Sequence, residues 1–124
     1  IPDSGTVTIE FADGSVGTTL IASAGCGEFP KEATEIYCAG RAIYINDFKE
    51  MQWLGFGEPG NLRLDAVDKG HAVEIDLFAD SILNDTESPN GLRQAARAAV
   101  ISYLANESVE TGRRLPISES DCAF

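Results

Sequence analysis

Basic residues are scarce in this chain. Nine Lys and Arg stand against twenty Asp and Glu, for a net charge of −11. Such a surface repels a phosphate backbone and an anionic bilayer alike, so neither nucleic acid nor a membrane is an expected partner. There is a single histidine, His71. It has no His or Cys neighbour at metal-ligand spacing, so no metal site is expected. The three cysteines, Cys26, Cys38 and Cys122, are an odd set with no Cys-x-x-Cys pair. They make a poor disulfide framework. Cys38, alternating with Ile36, is expected to be a small buried apolar residue. Free thiols point to a reducing cytoplasm. No apolar run reaches the ~20 residues that span a bilayer. Ile1-Pro2-Asp3-Ser4 lacks the basic-then-apolar order of a secretory leader, so the sequons at Asn84 and Asn106 read as chance matches. The missing initial methionine suggests a mature product or a piece of something longer.

A dinucleotide loop is also lacking. Gly25-Cys26-Gly27 supplies a Gly-x-Gly after a strand pattern, but the third glycine is absent and Phe29-Pro30-Lys31 follows where a helix should open. Without that helix N-terminus nothing holds a pyrophosphate. The segment reads as a strand connection.

What is present suits one globular domain over residues 1–124: the length fits, and 44% hydrophobic residues can fill a core. Val7, Ile9 and Phe11 alternate with Thr6, Thr8 and Glu10, the period of a half-buried strand. Asp13-Gly14 predicts a hairpin turn, and residues 15–23 return as its partner. Further strands are expected over 32–39, 42–46 and 51–54, and a sixth around Leu62, Leu64 and Ala66. Residues 55–61, rich in glycine and proline, read as loop. Tight links between short strands favour antiparallel pairing. A first helix opens near Asp68 or Gly70, with Ala72, Ile75, Phe78, Ala79 and Ile82 as its apolar stripe. A second runs over about 91–107, with Leu92, Ala96, Ala99, Val100 and Tyr103 as its stripe. The expected fold is α+β: a mostly antiparallel open sheet of about six strands over residues 5–66, with two C-terminal helices (residues 70–107) packed on one face.

Chemistry-bearing residues are few. His71 in a helix's first turn has no evident nucleophile or carboxylate orienter, and a structural role outweighs acid–base work. Asp47 and Glu50 read as solvated turn acids. Lys31-Glu32 reads either as a surface ion pair or as polar contact at the rim of a site. Trp53, the sole tryptophan, suits a core, an interface anchor or a platform for a sugar ring.

Taken in order, several segments resemble one family. They are residues 11–18 (FADGSVGT), Phe29-Pro30-Lys31-Glu32, Gly40-Arg41-Ala42-Ile43, Asn46-Asp47-Phe48, Lys69-Gly70-His71 leading to Phe78-Ala79-Asp80-Ser81-Ile82, and Thr111-Gly112-Arg113-Arg114. Over roughly residues 5–115 the chain resembles the C-terminal domain of the Gfo/Idh/MocA oxidoreductases. Each segment alone is a weak signal; their order and spacing are fairly specific. The resemblance implies an NAD(P)-dependent parent enzyme acting on a sugar, inositol or related polyol. It implies that the Rossmann domain, the Glu-Lys-Pro lysine and the catalytic Asp and His of the family lie upstream of these residues. No catalytic residue is carried over, and His71, in its Lys-Gly-His setting, is not the family's catalytic histidine. The chain itself would hold no cofactor; NAD or NADP belongs to the parent. Lys31, Arg41 and Trp53 are the substrate-binding candidates. The open sheet face, with Tyr44, Met51 and Trp53, is expected to make a homo-oligomer. The other reading is a non-catalytic α+β binding or assembly module.

Overall fold

The structure, a computed structural model, describes residues 3–118. Cys122 lies outside the described residues. The fold is α+β, with six strands followed by two helices: β1 (Gly5–Glu10), β2 (Val16–Ile21), β3 (Ala33–Cys38), β4 (Arg41–Asn46), β5 (Glu50–Leu54), β6 (Gly60–Arg63), α1 (His71–Leu83) and α2 (Leu92–Thr111). The chain divides into two compact units, Ile1–Ala24 with Leu77–Phe124, and Gly25–Asp76.

All strand pairing is antiparallel, but the strands do not form the single sheet of six that the sequence suggests. β1 and β2 pair alone, and β3-β4-β5-β6 form a four-stranded meander. The reason lies in the connections. Residues 22–32 join β2 to β3 through Gly25, Gly27 and Pro30, and no hairpin turn draws those two strands together. The other links are tight. Ala39 (φ 48°) and Gly40 (φ 75°) are both left-handed between paired Cys38 and Arg41. That is the two-residue turn whose twist matches the strands.

The Asp13-Gly14 hairpin forms, with a longer loop than a two-residue turn. Gly14 N–H donates to Phe11 O (3.0 Å) and Phe11 N–H to Ser15 O (2.9 Å), while only Gly14 (φ 85°) is left-handed. This is the three-residue loop of a right-handed turn closed by a glycine. Asp13 Oδ1 accepts from Ser15 Oγ (2.7 Å) and Ser15 N–H (2.9 Å). Both bonds favour the carboxylate and hold the Asp13 pKa below its ordinary value.

In the meander, pairing sorts the two faces. Ile36, Ile43 and Trp53 form one cross-strand row ending on Gly60; Thr34, Ile45, Met51 and Leu62 form the next on the same face. The other face carries Glu35, Tyr44, Gln52 and Asn61, then Ala33, Asn46, Glu50 and Arg63. One face is therefore mostly apolar; the other is mainly polar toward the Asn46 end, with Tyr37, Ala42 and Leu54 at its far end. Tyr44 lies on the polar face, apart from Met51 and Trp53. Gly60 and Asn61, expected in loop, begin β6. Cys38 is exposed at the end of β3, not buried.

The helices start and stop for local reasons. α1 follows Gly70 (φ 77°), whose carbonyl accepts from Glu74 N–H. It ends before Asp85 (φ 52°), where Thr86 N–H returns to Ser81 O (2.9 Å). α2 runs past its expected end to Gly112 (φ 64°), whose N–H donates to Ser108 O, a glycine C-cap. The apolar stripes expected on the helices are only partly covered. On α1, Ile75 (66%), Phe78 (53%) and Ile82 (65%) stay exposed. On α2, Leu92 and Tyr103 are exposed, and the half-buried stripe is Ala96, Val100, Ile101, Leu104, Ala105 and Ser108. Ala96 and Val100 belong to the expected stripe. The remainder is rotated toward Ile101 and Leu104, which the sequence reading left out.

Candidate functional site

Three segments far apart in sequence meet at one end of the four-stranded sheet. The β4–β5 turn contains Asp47 and Phe48, both at φ 51°. Left-handed backbone costs a non-glycine residue roughly 1–2 kcal/mol, and a bulky phenylalanine there needs an external hold. Hydrogen bonds provide it. Asp47 N–H donates to Glu32 O (2.7 Å), Asp68 N–H to Phe48 O (3.0 Å) and Leu64 N–H to Lys49 O (2.8 Å). The strand entrance at Glu32 and the strap over residues 64–69 are thereby sewn to the turn.

Side chains complete the cluster. Lys69 Nζ donates to Glu32 Oε1 at 2.8 Å and lies 2.8 Å from Oε2. The same ammonium sits 5.4 Å from the Phe48 ring centroid, within cation–π range. Glu32 Oε2 and Asn46 Oδ1 are shielded from solvent and accept no hydrogen bond. Oε2 is compensated by the Lys69 charge; Asn46 Oδ1 is left with an open acceptor position at this end of the sheet. Asp68 Oδ1 accepts from Gly70 N–H (2.8 Å), shaping the bend into α1. His71 is exposed at the helix start.

The residues singled out from sequence are not gathered into one site. Lys31 is exposed in the loop before β3, next to Glu32, whose carbonyl accepts from Asp47 N–H in the strained turn. Arg41 begins β4, at the strand's opposite end. The five steps from Arg41 to Asn46 cover roughly 16 Å at strand rise. Arg41 and Trp53 do share the apolar face, since Arg41 is two residues before Ile43 and Ile43 pairs with Trp53. The Arg41 guanidinium lies 5.2 Å from the Phe56 centroid. Trp53 is half-buried, its indole laid over Gly60.

Sequence reasoning missed Glu32 with Lys69, and Phe48. Lys31-Glu32 was visible as charge at a strand entrance, but its partner lies 37 residues on. No local pattern announces such a contact. Among the described residues, no group of three or more His, Cys, Asp and Glu is placed to hold a metal ion. No helix among them is long and apolar enough to cross a membrane. Comparison with protein-family models, with curated proteins and with solved structures gives no match to this chain.

Proposed function

We propose that the chain is the C-terminal substrate-binding and oligomerisation part of an NAD(P)-dependent oxidoreductase of the Gfo/Idh/MocA kind. Its substrate is a sugar, inositol or related polyol, and the chain by itself is inactive. One observation carries the reading. The segments Phe29-Pro30-Lys31-Glu32, Asn46-Asp47-Phe48 and Lys69-Gly70-His71, on which the resemblance rests, converge through Glu32, Phe48 and Lys69. Convergence gives a physical reason for their order and spacing. In this reading Lys31, at that end, and Arg41 with Trp53, on the apolar face, contact the polyol or its rim. The dinucleotide is held by polypeptide outside the 124 residues, because hydride transfer needs a held nicotinamide that this chain has no loop to grip.

Calorimetry with NADH and NADPH tests the last claim. No heat of binding is expected; micromolar affinity for either overturns it. The coding sequence before Ile1 tests the family. A strand, a glycine-rich loop and a helix, followed by Glu-Lys-Pro, support the oxidoreductase; a start codon at that point refutes it.

A second reading, a non-catalytic assembly module, draws on the apolar face of the meander. Ile36 and Leu62 are each 47% exposed there, and Met51 and Trp53 are only half-buried. Both readings expect a homo-oligomer through that face. Light scattering after gel filtration should give a multiple of the 13.2 kDa chain mass. A monomer at high concentration counts against both.

A further inference from the structure

A groove of about 730 Å³ runs along β1 inside the unit Ile1–Ala24 with Leu77–Phe124. Five consecutive β1 residues, Thr6 to Glu10, line it, and no residue of β2 does. A groove over a sheet face would be lined by alternate residues, because side chains alternate across a strand. Lining by every residue means that the groove follows the free edge of β1.

The hairpin's hydrogen-bond phase says what that edge offers. Phe11 N–H bonds Ser15 O, and the pairing runs on as Ile9↔Gly17 and Val7↔Thr19. In an antiparallel ladder alternate residues bond inward. Phe11, Ile9, Val7 and Gly5 therefore face β2, and Thr6, Thr8 and Glu10 turn their N–H and C=O outward. Those outward groups have no backbone partner among the described residues. Apolar side chains flank them: Ile101, Leu104 and Val109 from α2, and Leu115 and Ile117 beyond it. Charge narrows the choice. Glu10 is neutralised by Arg114 (2.8 Å), while Arg113 makes no ion pair among the described residues. Among the described lining residues the charge left over is positive, in a chain of net −11.

We propose that this groove binds an extended, acidic peptide segment of a partner protein, which adds a third strand to the β1–β2 hairpin. Only an extended backbone presents donors and acceptors at the two-residue spacing of Thr6, Thr8 and Glu10; a helix has spent its own. Its alternate apolar side chains pack toward Leu104 and Leu115, and its carboxylate meets Arg113.

The test follows amide hydrogen exchange in the full chain by NMR. The probe is an acetylated hexapeptide of alternating valine and threonine ending in glutamate. Two N-methylated versions carry methyl groups on one or the other alternate set of amides. The parent peptide should slow exchange at Thr6, Thr8 and Glu10 by roughly tenfold or more and leave Val7 and Ile9 unchanged. One methylated peptide should lose this protection and the other keep it. Thr8→Pro removes an outward donor without touching an inward bond, as an edge strand allows. It should abolish protection while the cross-hairpin contacts of Val7 and Ile9 persist in the spectrum. Arg113→Gln should weaken binding severalfold. The proposal is overturned if no protection appears, or if both methylated peptides bind alike. It is equally overturned if a lysine-ended peptide binds as well, or if protection grows with protein concentration alone. That last result would assign the edge to a second copy of the chain.

Discussion

Replacing Gly60 by alanine sets two effects of opposite sign against each other, and the structure says which prevails. Gly60 pairs with Trp53 across β5 and β6, and the indole covers its Cα. A Cβ built there would collide with the indole, nearest Trp53 Cζ2 and Cε2. The backbone raises no objection, since the residue is not left-handed. Alanine in place of a strand glycine therefore contributes about 0.5–1 kcal/mol of stability through lost chain entropy. Against this, the indole must leave its seat, and overpacking of this kind costs about 1–3 kcal/mol. The ring is half-buried and can swing toward solvent, so the lower part of that range applies. Gly60→Ala should then destabilise the chain by a net of about 0.5 kcal/mol in urea unfolding. Its tryptophan emission should move to the red, and Trp53 is the only tryptophan to report it. In a Trp53→Leu background the sign should invert, because the clash is gone and the entropic gain of about 0.5 kcal/mol remains. A Gly60→Ala chain as stable as the parent with unshifted emission refutes the Trp53–Gly60 stacking and the register behind it.

Lys69→Met and Glu32→Gln, combined in a double-mutant cycle, should show a coupling of about 0.2–1 kcal/mol. Because about a third of each side chain is exposed, most of that coupling should disappear in molar salt. Asp13 is held charged by Ser15, so its folded pKa lies below its unfolded one. Its contribution is complete above the unfolded value of about 4 and is lost as pH falls through the folded value. Asp13→Asn should remove that acid-side dependence from the hairpin's amide shifts in an NMR titration. Gly112→Ala places a Cβ on a residue at φ 64° with open space around it. The cost is then conformational alone, about 1 kcal/mol, read as a lower midpoint in thermal unfolding followed by helix circular dichroism.

Periodicity revealed the elements because their causes are local. Alternation of Val7, Ile9 and Phe11 with threonines announces β1, and the apolar period announces α2, although the sequence places its end near 107, before the cap at Gly112. Gly60-Asn61 was hidden because glycine and proline nearby argue for loop. What makes β6 is the neighbouring indole of Trp53, a tertiary partner that compensates glycine's poor strand preference. The stripe of α2 was misread by a fraction of a turn for a similar reason. Leu92 and Tyr103 are as apolar as Ile101 and Leu104, and composition alone does not say which pair faces a neighbour. Separation into two sheets was illegible because it depends on a strand pair that does not form. Lys31, Arg41 and Trp53 could be named as candidates by residue type alone. The contact of Glu32 with Lys69 could not be, since it closes a loop of 37 residues.

The two turns flanking β4 show where the meander accepts cost. Both have consecutive left-handed residues. The β3–β4 turn uses Ala39 and Gly40, and glycine takes that conformation freely. The β4–β5 turn uses Asp47 and Phe48, at roughly 2–4 kcal/mol for the two. If turning the chain were all that mattered, Asn-Gly would do it for less. The phenylalanine therefore stands at position 48 for its ring, and the ring's partner is Lys69, already held by Glu32. The strain and the ion pair are two halves of one arrangement: hydrogen bonds from the strap hold the turn in its costly shape, and the turn presents the surface over which Lys69 is fixed. An end of a sheet held from three segments is a rigid place on which to set a rim lysine such as Lys31. At the opposite end, where Arg41 rests on Phe56, the turn is Ala39-Gly40, packed closely by Gly55. Under the proposed function, substrate positioning would fall first to the Glu32–Phe48–Lys69 end, beside Lys31.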